Sequence, residues 1–366
     1  MGVVNTADVI DRQFRSRRFS AALIGIVVLV AASVMGTDPS QAQSEHDASA
    51  TSTIVADTLP PEIPPTLTTT SPATSSTSPV TTTTMPRATL LTSESLVPVC
   101  QSAVGAAPLP IGPTLGCRIV ASYGNPLSTG MGILGRLPPV AMLADITSRT
   151  AQWASADPAR MHRCALELIV ITAQASPGAS GLYRARMAPA LIDRVLGWAR
   201  SSGCLLILDV QVGWSSVAAE LPYLEPWLAK NDVHLALDPE WDMQPGVKPG
   251  ARIGTMDADD INVAVDLLAR LVRERSLAPK LMAVHRFRDF MVTRPSLIRT
   301  PPEVRLVVNM DGFGPPATKR SSYGVAVKGM PTTLTGFKLF TLLDKPILGP
   351  ADLLKLIPVP VFINFQ

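Results

Sequence analysis

The sequence predicts a single (β/α)8 barrel in residues 100–366, behind an export segment at residues 1–43 and a disordered linker at residues 44–99. Residues 100–366 are rich in Val, Ile, Leu and Ala and suit the length of about 250 residues that is typical of such barrels. Short apolar runs alternate there with segments of helical period or of turn composition. No G-x-G-x-x-G or phosphate loop follows a predicted strand, which argues against a dinucleotide-binding sheet.

The first segment has the features of an export signal. An unbroken apolar run at residues 19–35 follows a cluster of arginines, Arg12, Arg15, Arg17 and Arg18. The run is intermediate in length between a signal-peptide core and a membrane span of about 20 residues. Small residues around Ala42 offer a cleavage site, so a cleaved signal peptide and an uncleaved anchor both remain open. We expect the barrel outside the cytoplasmic membrane, either secreted or anchored through this segment.

The second segment is dominated by Thr, Ser and Pro at residues 51–95, with few charges and few large apolar groups. Such a composition cannot bury enough apolar surface to offset chain entropy, and it is expected to stay extended. We interpret residues 44–99 as a stalk that holds the barrel away from the membrane.

The third segment contains eight predicted strands, at residues 118–123, 166–173, 205–210, 233–238, 280–285, 305–310, 336–342 and 359–365. Helices are predicted at residues 139–155, 187–201, 216–230 and 257–276. The last helix has the clearest start, because Asp257 is a good N-cap with acidic residues in the following turn. Eight strand–helix units in series favour a closed parallel barrel, although the helical pattern is weaker in units five to seven.

The four cysteines suit an oxidising compartment. Cys164 and Cys204 each precede a predicted strand, and neighbouring parallel strands would bring their α-carbons within disulfide range, about 4.4–6.8 Å. Cys100 and Cys117 bracket a Pro/Gly-rich lead-in. We predict the disulfides Cys164–Cys204 and Cys100–Cys117, with four small buried thiols as the alternative. No C-x-x-C or His/Cys spacing indicates a zinc site.

Polar residues recur at the ends of the predicted strands, where a barrel of this class places its active site. Four strands end with two polar residues spaced two apart, namely Asp209/Gln211, Asp238/Glu240, Asn309/Asp311 and Asn364/Gln366. Side chains two apart on a strand face the same way, so these groups are expected to converge on one polar pocket. The alternative for any one of them is a turn-forming or capping role.

Three carboxyl groups are the catalytic candidates. Glu240 is the predicted acid, because Asp238 precedes it by two residues and a neighbouring carboxylate keeps one member of a pair protonated. Asp209 is the third candidate, at the end of the preceding strand. Two carboxyl groups that face each other across a pocket are the catalytic groups of most glycoside hydrolases.

Other residues at the strand ends are candidates for substrate binding. Aromatic rings stack on sugar faces, and a histidine can act as a base, a metal ligand or an orienting group. The substrate-binding candidates are Tyr123, Asn125, Gln211, Trp241, His285, Asp311 and Gln366. Three basic residues, Lys319, Arg320 and Lys338, have two possible roles. They could bind an anionic group near the pocket or lie in a solvated loop, and we favour the solvated loop.

The D-P-E sequence at residues 238–240 resembles the D-x-E pair on strand four of (β/α)8 glycoside hydrolases such as muramidase-type lysozymes and chitinase-like proteins. The longer D-x-x-D-x-D-x-E run of the chitinase-like enzymes and the strand-one Asp of the muramidase type are both missing. The combination of S-Y-G-N-P at 122–126, L-D-P-E at 237–240, V-H at 284–285 and M-D-G-F-G at 310–314 is similar to a group of secreted or lipid-anchored bacterial barrel proteins without a known activity. This resemblance implies the barrel and its export.

We therefore expect an extracytoplasmic, glycoside-hydrolase-like barrel that acts on peptidoglycan or another polysaccharide by carboxyl acid/base chemistry. We expect a monomer without a cofactor or metal. The net charge of +3 gives no indication of a nucleic-acid partner. One alternative is a metal-dependent hydrolase using Asp209, Glu240, His285 and Asp311. The other is a non-catalytic barrel that binds glycans or serves as a scaffold.

Overall fold

A computed structural model of the chain describes residues 116–366. In this range eight parallel strands pair in chain order, and the last pairs with the first to close a barrel. The strands are β1 Cys117–Gly124, β2 Met161–Ala173, β3 Leu205–Val210, β4 Val233–Leu237, β5 Lys280–Arg286, β6 Val304–Met310, β7 Thr335–Leu339 and β8 Phe362–Phe365. The predicted fold class is confirmed. The strand predicted at 205–210 has the bounds of β3, and each of the other seven overlaps its observed counterpart.

Helices cover the outside of this barrel. Over residues 116–366 they are α1 Ile133–Arg136, α2 Pro139–Ala156, α3 Pro189–Ser201, α4 Val217–Leu228, α5 Ala258–Arg275, α6 Pro316–Val327 and α7 Pro350–Leu353. The Asp257 carboxylate caps α5 as predicted, by accepting a hydrogen bond from the backbone N–H of Asp259 at 3.0 Å. Between β5 and β6 the chain makes 3₁₀ turns, Asp289–Met291 and Pro295–Leu297, in agreement with the weaker helical pattern of that unit.

Within the described range, two short strand pairings lie outside the eight-stranded barrel. The strand Arg184–Arg186 runs antiparallel to the end of β2. Met256–Asp257 pairs with Val292–Thr293 in a parallel two-stranded sheet next to the start of α5. Both pairings lie in the connections that follow the carboxyl ends of barrel strands, so they support the loops around the mouth of the barrel.

The barrel wall separates two apolar layers. Outward side chains such as Leu168 and Leu208 pack against helix residues such as Trp153 and Ile261. Inward side chains in the lower half of the barrel form a second buried layer, comprising Cys117, Ile119, Ala121, Ala165, Leu205, Ile207, Ala236, Leu281, Ala283, Val307, Leu334, Val361 and Phe362. Because side chains alternate along a strand, the inward positions beyond this layer lie at the carboxyl end of the barrel. Those positions are polar.

The disulfide Cys164–Cys204 forms as predicted, with its α-carbons 4.7 Å apart. Ala165 pairs with Leu205 in the parallel register of β2 and β3, so the preceding residues on the two strands lie side by side. This disulfide is at the amino end of the barrel, opposite the polar end.

Several sequence predictions fall on residues outside the described range. They are the export segment, the linker and the Cys100–Cys117 disulfide. Each of them involves residues before residue 116, so all three stay predictions. Within residues 116–366, no helix is both long and apolar enough to cross a membrane.

Candidate active site at the carboxyl end of the barrel

The polar end of the barrel interior is built by side chains from every barrel strand or from the residue that follows it. We call these side chains the polar cluster, and they are Tyr123, Glu167, Asp209, Gln211, Asp238, His285, Asn309, Asp311, Lys338 and Asn364. All ten are buried. Burying so many ionisable groups is unfavourable unless they are paired or used, so the contacts among them define what the site can do.

His285 lies at the centre of the polar cluster. Its Nε2 is 2.9 Å from Glu167 Oε1 and 3.9 Å from Asp209 Oδ1, and its Nδ1 is 3.2 Å from Asp311 Oδ2. Burial lowers the pKa of His285, but the hydrogen bonds with Asp311 and Glu167 outweigh it and raise the pKa well above the usual value. Each ring nitrogen of His285 thus faces a carboxylate, an arrangement that favours the imidazolium form.

Lys338 provides a second cation in the polar cluster. Its ammonium lies 3.3 Å from Asp311 Oδ2 and 3.5 Å from the centroid of the Tyr123 ring. The ring face attracts a desolvated cation, so the ammonium is held between an aromatic face and a carboxylate. Asp311 thus faces two cationic groups, one from β5 and one from β7.

Asp209 is more isolated from positive charge. Its Oδ2 accepts a hydrogen bond from the Tyr123 hydroxyl at 2.8 Å. Burial, opposed by His285 and assisted by the nearby Glu167 carboxylate, raises the pKa of Asp209 to about 6. Burial also raises the pKa of Tyr123 well above its usual value, so the phenol stays a hydrogen-bond donor.

Asp238 has only neutral hydrogen-bond donors among its contacts in the described range. The Gln211 amide donates to its Oδ2 at 3.4 Å, and the backbone N–H of Glu240 donates to its Oδ1 at 3.2 Å. Burial raises the pKa of Asp238 well above its usual value, and the neighbouring carboxyl groups of Asp209 and Asp311 add to this against the opposing effect of His285. Asp238 therefore keeps its proton to higher pH than an ordinary aspartic acid.

Glu240 lies nearer the mouth of the barrel. It is half-buried on the 3₁₀ turn Pro239–Trp241, which follows β4, and its carbonyl accepts a hydrogen bond from Gly254 N–H at 2.7 Å. Carboxylate oxygens of Asp238, Glu240 and Asp311 all lie within 4.8 Å of one another. The turn thus places one accessible carboxyl group directly against two buried ones.

The other predicted site residues have different surroundings. Asn125 is occupied structurally, since its amide donates to the Ile169 carbonyl and its Oδ1 accepts from Leu127 N–H, each at 2.9 Å. Trp241 is half-buried on the same turn as Glu240. Gln366 is half-buried at the end of β8, and its backbone N–H bonds the Leu339 carbonyl at 2.9 Å. The polar cluster therefore unites most of the predicted residues and leaves Asn125 as a supporting group.

Two members of the polar cluster were not expected from the sequence. Glu167 was not predicted at all, although a single Glu between Leu166 and Leu168 in an apolar run is a signal for an inward charged group. The solvated-loop interpretation was wrong for Lys338 and Lys319, which are 2% and 1% exposed. Lys319 lies beside the polar cluster, where its ammonium is satisfied by Asp344 at 2.9 Å and by the Gly312 carbonyl at 2.7 Å. Arg320 is solvent-facing and bonds Asp352.

Two sets of side chains have ligand atoms close enough together to consider a metal ion. The first set is Glu167, Asp209 and His285, whose ligand atoms lie within 4.8 Å of one another. A histidine binds a metal only when it is neutral, and the bonds that hold His285 protonated oppose this. The second set is Asp238, Glu240 and Asp311, an all-oxygen group suited to a hard cation.

A cavity of about 320 Å³ adjoins the Pro239–Trp241 turn. Its polar lining includes Asp242, Gln244, Arg252 and Asp260. Burial, assisted by the Asp260 carboxylate, raises the pKa of Asp242 to about 7. The cavity is thus lined with hydrogen-bonding groups, although none of its lining residues belongs to the polar cluster.

Comparisons with known proteins found little similarity in sequence or structure. No family model matches the chain, and no curated protein matches it. The crystal structure of a β-1,4-D-mannanase from Cryptopygus antarcticus is similar over 61% of this chain and 67% of its own, with 11% sequence identity and a TM-score of 0.28. A similarity of this size carries no inference about activity, which has to be argued from the polar cluster itself.

Proposed function

We propose that the chain is an extracytoplasmic glycoside-hydrolase-like enzyme that acts on peptidoglycan or another polysaccharide by carboxyl acid/base chemistry. The observation that carries the proposal is the half-buried Glu240 at the mouth, with carboxyl oxygens of Asp238 and Asp311 within 4.8 Å. Glycoside hydrolysis needs two carboxyl groups in different protonation states on either side of one bond. Asp311 contacts two cationic groups, whereas Asp238 contacts neutral donors, so carboxyl groups in different surroundings lie beside Glu240.

Glu240 is the proposed acid. It is the most accessible of the three carboxyl groups, and its turn is anchored at both sides by the bonds to Asp238 and to Gly254. A general acid must reach the leaving oxygen of the substrate, and a carboxyl group at the mouth can do so. Trp241 follows Glu240 on the same turn, and its ring is the proposed stacking surface for a sugar.

The location is proposed from the export signal and the disulfide. The bond between Cys164 and Cys204 is compatible with an oxidising compartment outside the cytoplasm. The apolar run at residues 19–35 and the Thr/Ser/Pro-rich linker favour the same location. A polysaccharide of the cell envelope is a substrate that such a protein would encounter.

The test is a digestion assay with the full chain, exported so that its disulfides form. Purified peptidoglycan and a panel of polysaccharides are incubated with the wild type, Glu240→Gln and the control Glu274→Gln, which alters an exposed carboxylate on α5. We expect new reducing ends from the wild type and the control, and a rate at least about a hundredfold lower for Glu240→Gln. Release of no reducing ends from any substrate by the wild type would overturn the proposal and favour a glycan-binding barrel.

A metal-dependent hydrolase is the second candidate, favoured by the all-oxygen set of Asp238, Glu240 and Asp311. In this case a chelator would abolish the activity, and Mg²⁺ or Mn²⁺ would restore it. The glycosidase proposal instead predicts equal rates before and after treatment with EDTA.

A further inference from the structure

We propose that Asp311, and neither Asp238 nor Asp209, is the ionised carboxylate of this site and the nucleophile of a retaining mechanism, held in place by Glu167 and His285. This inference rests on the proposed function. It assigns a role to Asp311 that the strand-end pattern did not give it, and it assigns Glu167 and His285 as positioning residues.

The first argument compares the partners of the three buried carboxyl groups. Asp311 Oδ2 contacts two cationic groups, the His285 ring at 3.2 Å and the Lys338 ammonium at 3.3 Å. The donors to Asp238 are an amide and a backbone N–H, and the donor to Asp209 is a phenol, with the His285 ring farther from it, at 3.9 Å. A carboxylate that faces two cations in a buried site stays ionised, whereas one that faces neutral donors binds a proton.

The second argument concerns the orientation of His285. Glu167 Oε1 accepts a hydrogen bond from His285 Nε2 at 2.9 Å, and Asn364 donates to the other oxygen of Glu167. Glu167 thereby fixes the ring so that Nδ1–H points to Asp311. The side chains of Glu167 and His285 are 0% exposed and that of Asp311 is 5% exposed, so Asp311 is the member of this chain of contacts that has some exposure. Glu167 contacts His285 and His285 contacts Asp311, and for this reason the two are assigned as positioning residues.

The third argument is the separation of Asp311 from Glu240. Carboxylate oxygens of the two residues lie within 4.8 Å. Retaining glycosidases have carboxyl groups about 5–5.5 Å apart, whereas inverting enzymes need about 6.5–9.5 Å to admit a water molecule. An oxygen–oxygen approach within 4.8 Å is nearer to the retaining separation than to the inverting one, and it favours direct attack by a carboxylate. The same limit holds between Glu240 and Asp238, so the contacts with His285 and Lys338 are what single out Asp311.

The steps follow from this arrangement. An oxygen of Asp311 forms a bond to the anomeric carbon while the glycosidic C–O bond breaks, and the proton of Glu240 passes to the leaving oxygen. Water then attacks the anomeric carbon, Glu240 takes its proton, and the bond to Asp311 breaks with its electron pair returning to the carboxylate. Water is the only co-reactant, and the enzyme returns to its first state.

The primary experiment measures the anomeric configuration of the first product that the wild type releases, by NMR, on whichever polysaccharide of the panel is cleaved. Retention is expected, and inversion would overturn the inference while leaving the proposed function intact. Absence of cleavage would remove the proposed function itself, so the two failures are distinguishable.

Azide rescue identifies the nucleophile. Asp311→Ala, Asp238→Ala and Glu240→Ala are assayed on the same polysaccharide with and without sodium azide, and azide-terminated fragments are sought by mass spectrometry. We expect Asp311→Ala with azide to give fragments of inverted configuration, Glu240→Ala to give retained ones, and Asp238→Ala to give none. Inverted azide fragments from Asp238→Ala would assign the nucleophile to Asp238 and overturn the inference. Should Asp311→Ala fail to fold, Asp311→Asn takes its place, and the wild-type configuration remains decisive.

The positioning role of His285 is tested by the pH profile of kcat/KM. The charged and titratable groups that face Asp311 include Tyr123, Asp238, Glu240, His285, Lys319 and Lys338. Removing the imidazolium in His285→Gln should move the acidic limb of the profile upward by about one pH unit or more, because the Asp311 carboxylate loses a cationic partner. The control His162→Gln, near the other end of the barrel, should leave the limb in place. An unmoved limb in His285→Gln, with reduced activity, would indicate a purely structural histidine.

Discussion

The polar cluster combines carboxyl groups with bases. In the described part of the chain, four of its members are carboxyl groups, Glu167, Asp209, Asp238 and Asp311, and two are bases, His285 and Lys338. Burial raises the pKa of Asp209 to about 6 and that of Asp238 well above its usual value. Each of these two acids thus keeps its proton to higher pH, which reduces the negative charge that the interior has to accommodate.

Asp209 gives a prediction about the pH dependence of stability. Its pKa rises from 3.8 to about 6 on folding, so its contribution to stability is complete below pH 3.8 and is lost as the pH rises through about 6. Asp209→Asn cannot ionise and still accepts the Tyr123 hydroxyl. We expect this variant to be more stable than the wild type at pH 8 by about 1–3 kcal/mol, with a smaller difference at pH 4. Urea unfolding at both pH values measures it, and a difference independent of pH would contradict it.

At the scale of elements, the turn Pro239–Trp241 depends on a close backbone approach. Gly254 donates its N–H to the Glu240 carbonyl, and a Cβ at Gly254 would lie 2.5 Å from the Asp242 carbonyl oxygen and 2.6 Å from that of Glu240. Those oxygens belong to the backbone, so a side chain at residue 254 has to displace the turn. The position of Glu240 is therefore fixed by a glycine 14 residues later in the sequence.

We predict that Gly254→Ala lowers activity about a hundredfold, because a displacement of about 1 Å is enough to misalign a catalytic group. The same overpacking should lower the free energy of unfolding by about 1–3 kcal/mol. Gly197→Ala is the matched control, since a Cβ on this helical glycine of α3 meets nothing within 4 Å. The control should raise stability by about 0.5–1 kcal/mol and keep full activity. Equal activities of the two variants would contradict the role of Gly254.

The strands and the site were not equally predictable from the sequence. Apolar runs with turn residues between them located all eight barrel strands of the described range, though not the three short strands outside the barrel wall. The pair Asp209/Gln211 was found because it stands at a strand end. Glu167 was missed because it lies in the middle of β2. In the barrel it pairs with Tyr123 at the top of β1, so the stagger between strands brings it to the polar end. Such stagger depends on pairing between distant segments, which local patterns do not report.

Lys338 was misassigned for a related reason. It stands between Phe337 and Leu339 on β7, and a lysine in this setting is ordinarily placed in solvent. Its burial is made possible by Asp311 from β6 and the Tyr123 ring from β1. The sequence separations of these partners are large, so only the closed barrel reveals the pairing.

At the scale of the whole molecule, the two ends of the barrel have separate tasks. The polar cluster and Glu240 lie at the carboxyl end, whereas Cys164–Cys204 joins β2 to β3 at the amino end. The buried apolar layer lies between them. A barrel of this class separates stability from activity in the same way, so changes at the amino end should leave the site undisturbed.

The disulfide provides the corresponding prediction. Cys164 and Cys204 are separated by 40 residues, and a cross-link over a loop of this length restricts the unfolded chain by about 4 kcal/mol in the chain-entropy model. We expect the double variant Cys164→Ala, Cys204→Ala to lose about 2–4 kcal/mol of stability and to keep the wild-type kcat at low temperature. Guanidinium unfolding and the reducing-end assay measure the two quantities. A loss of kcat by the folded double variant would show that the two ends are coupled.

The apolar layer beneath the polar cluster has a consequence for proton exchange. Ile119, Ile207 and Phe362, with their neighbours, fill the lower half of the interior with apolar side chains, which offer no hydrogen bonds to a chain of water molecules. Protons that pass between the polar cluster and the medium are therefore expected to move through the mouth. A ligand bound across the mouth would slow this exchange, so the buried groups would follow the pH of the medium more slowly in the complex than in the free protein.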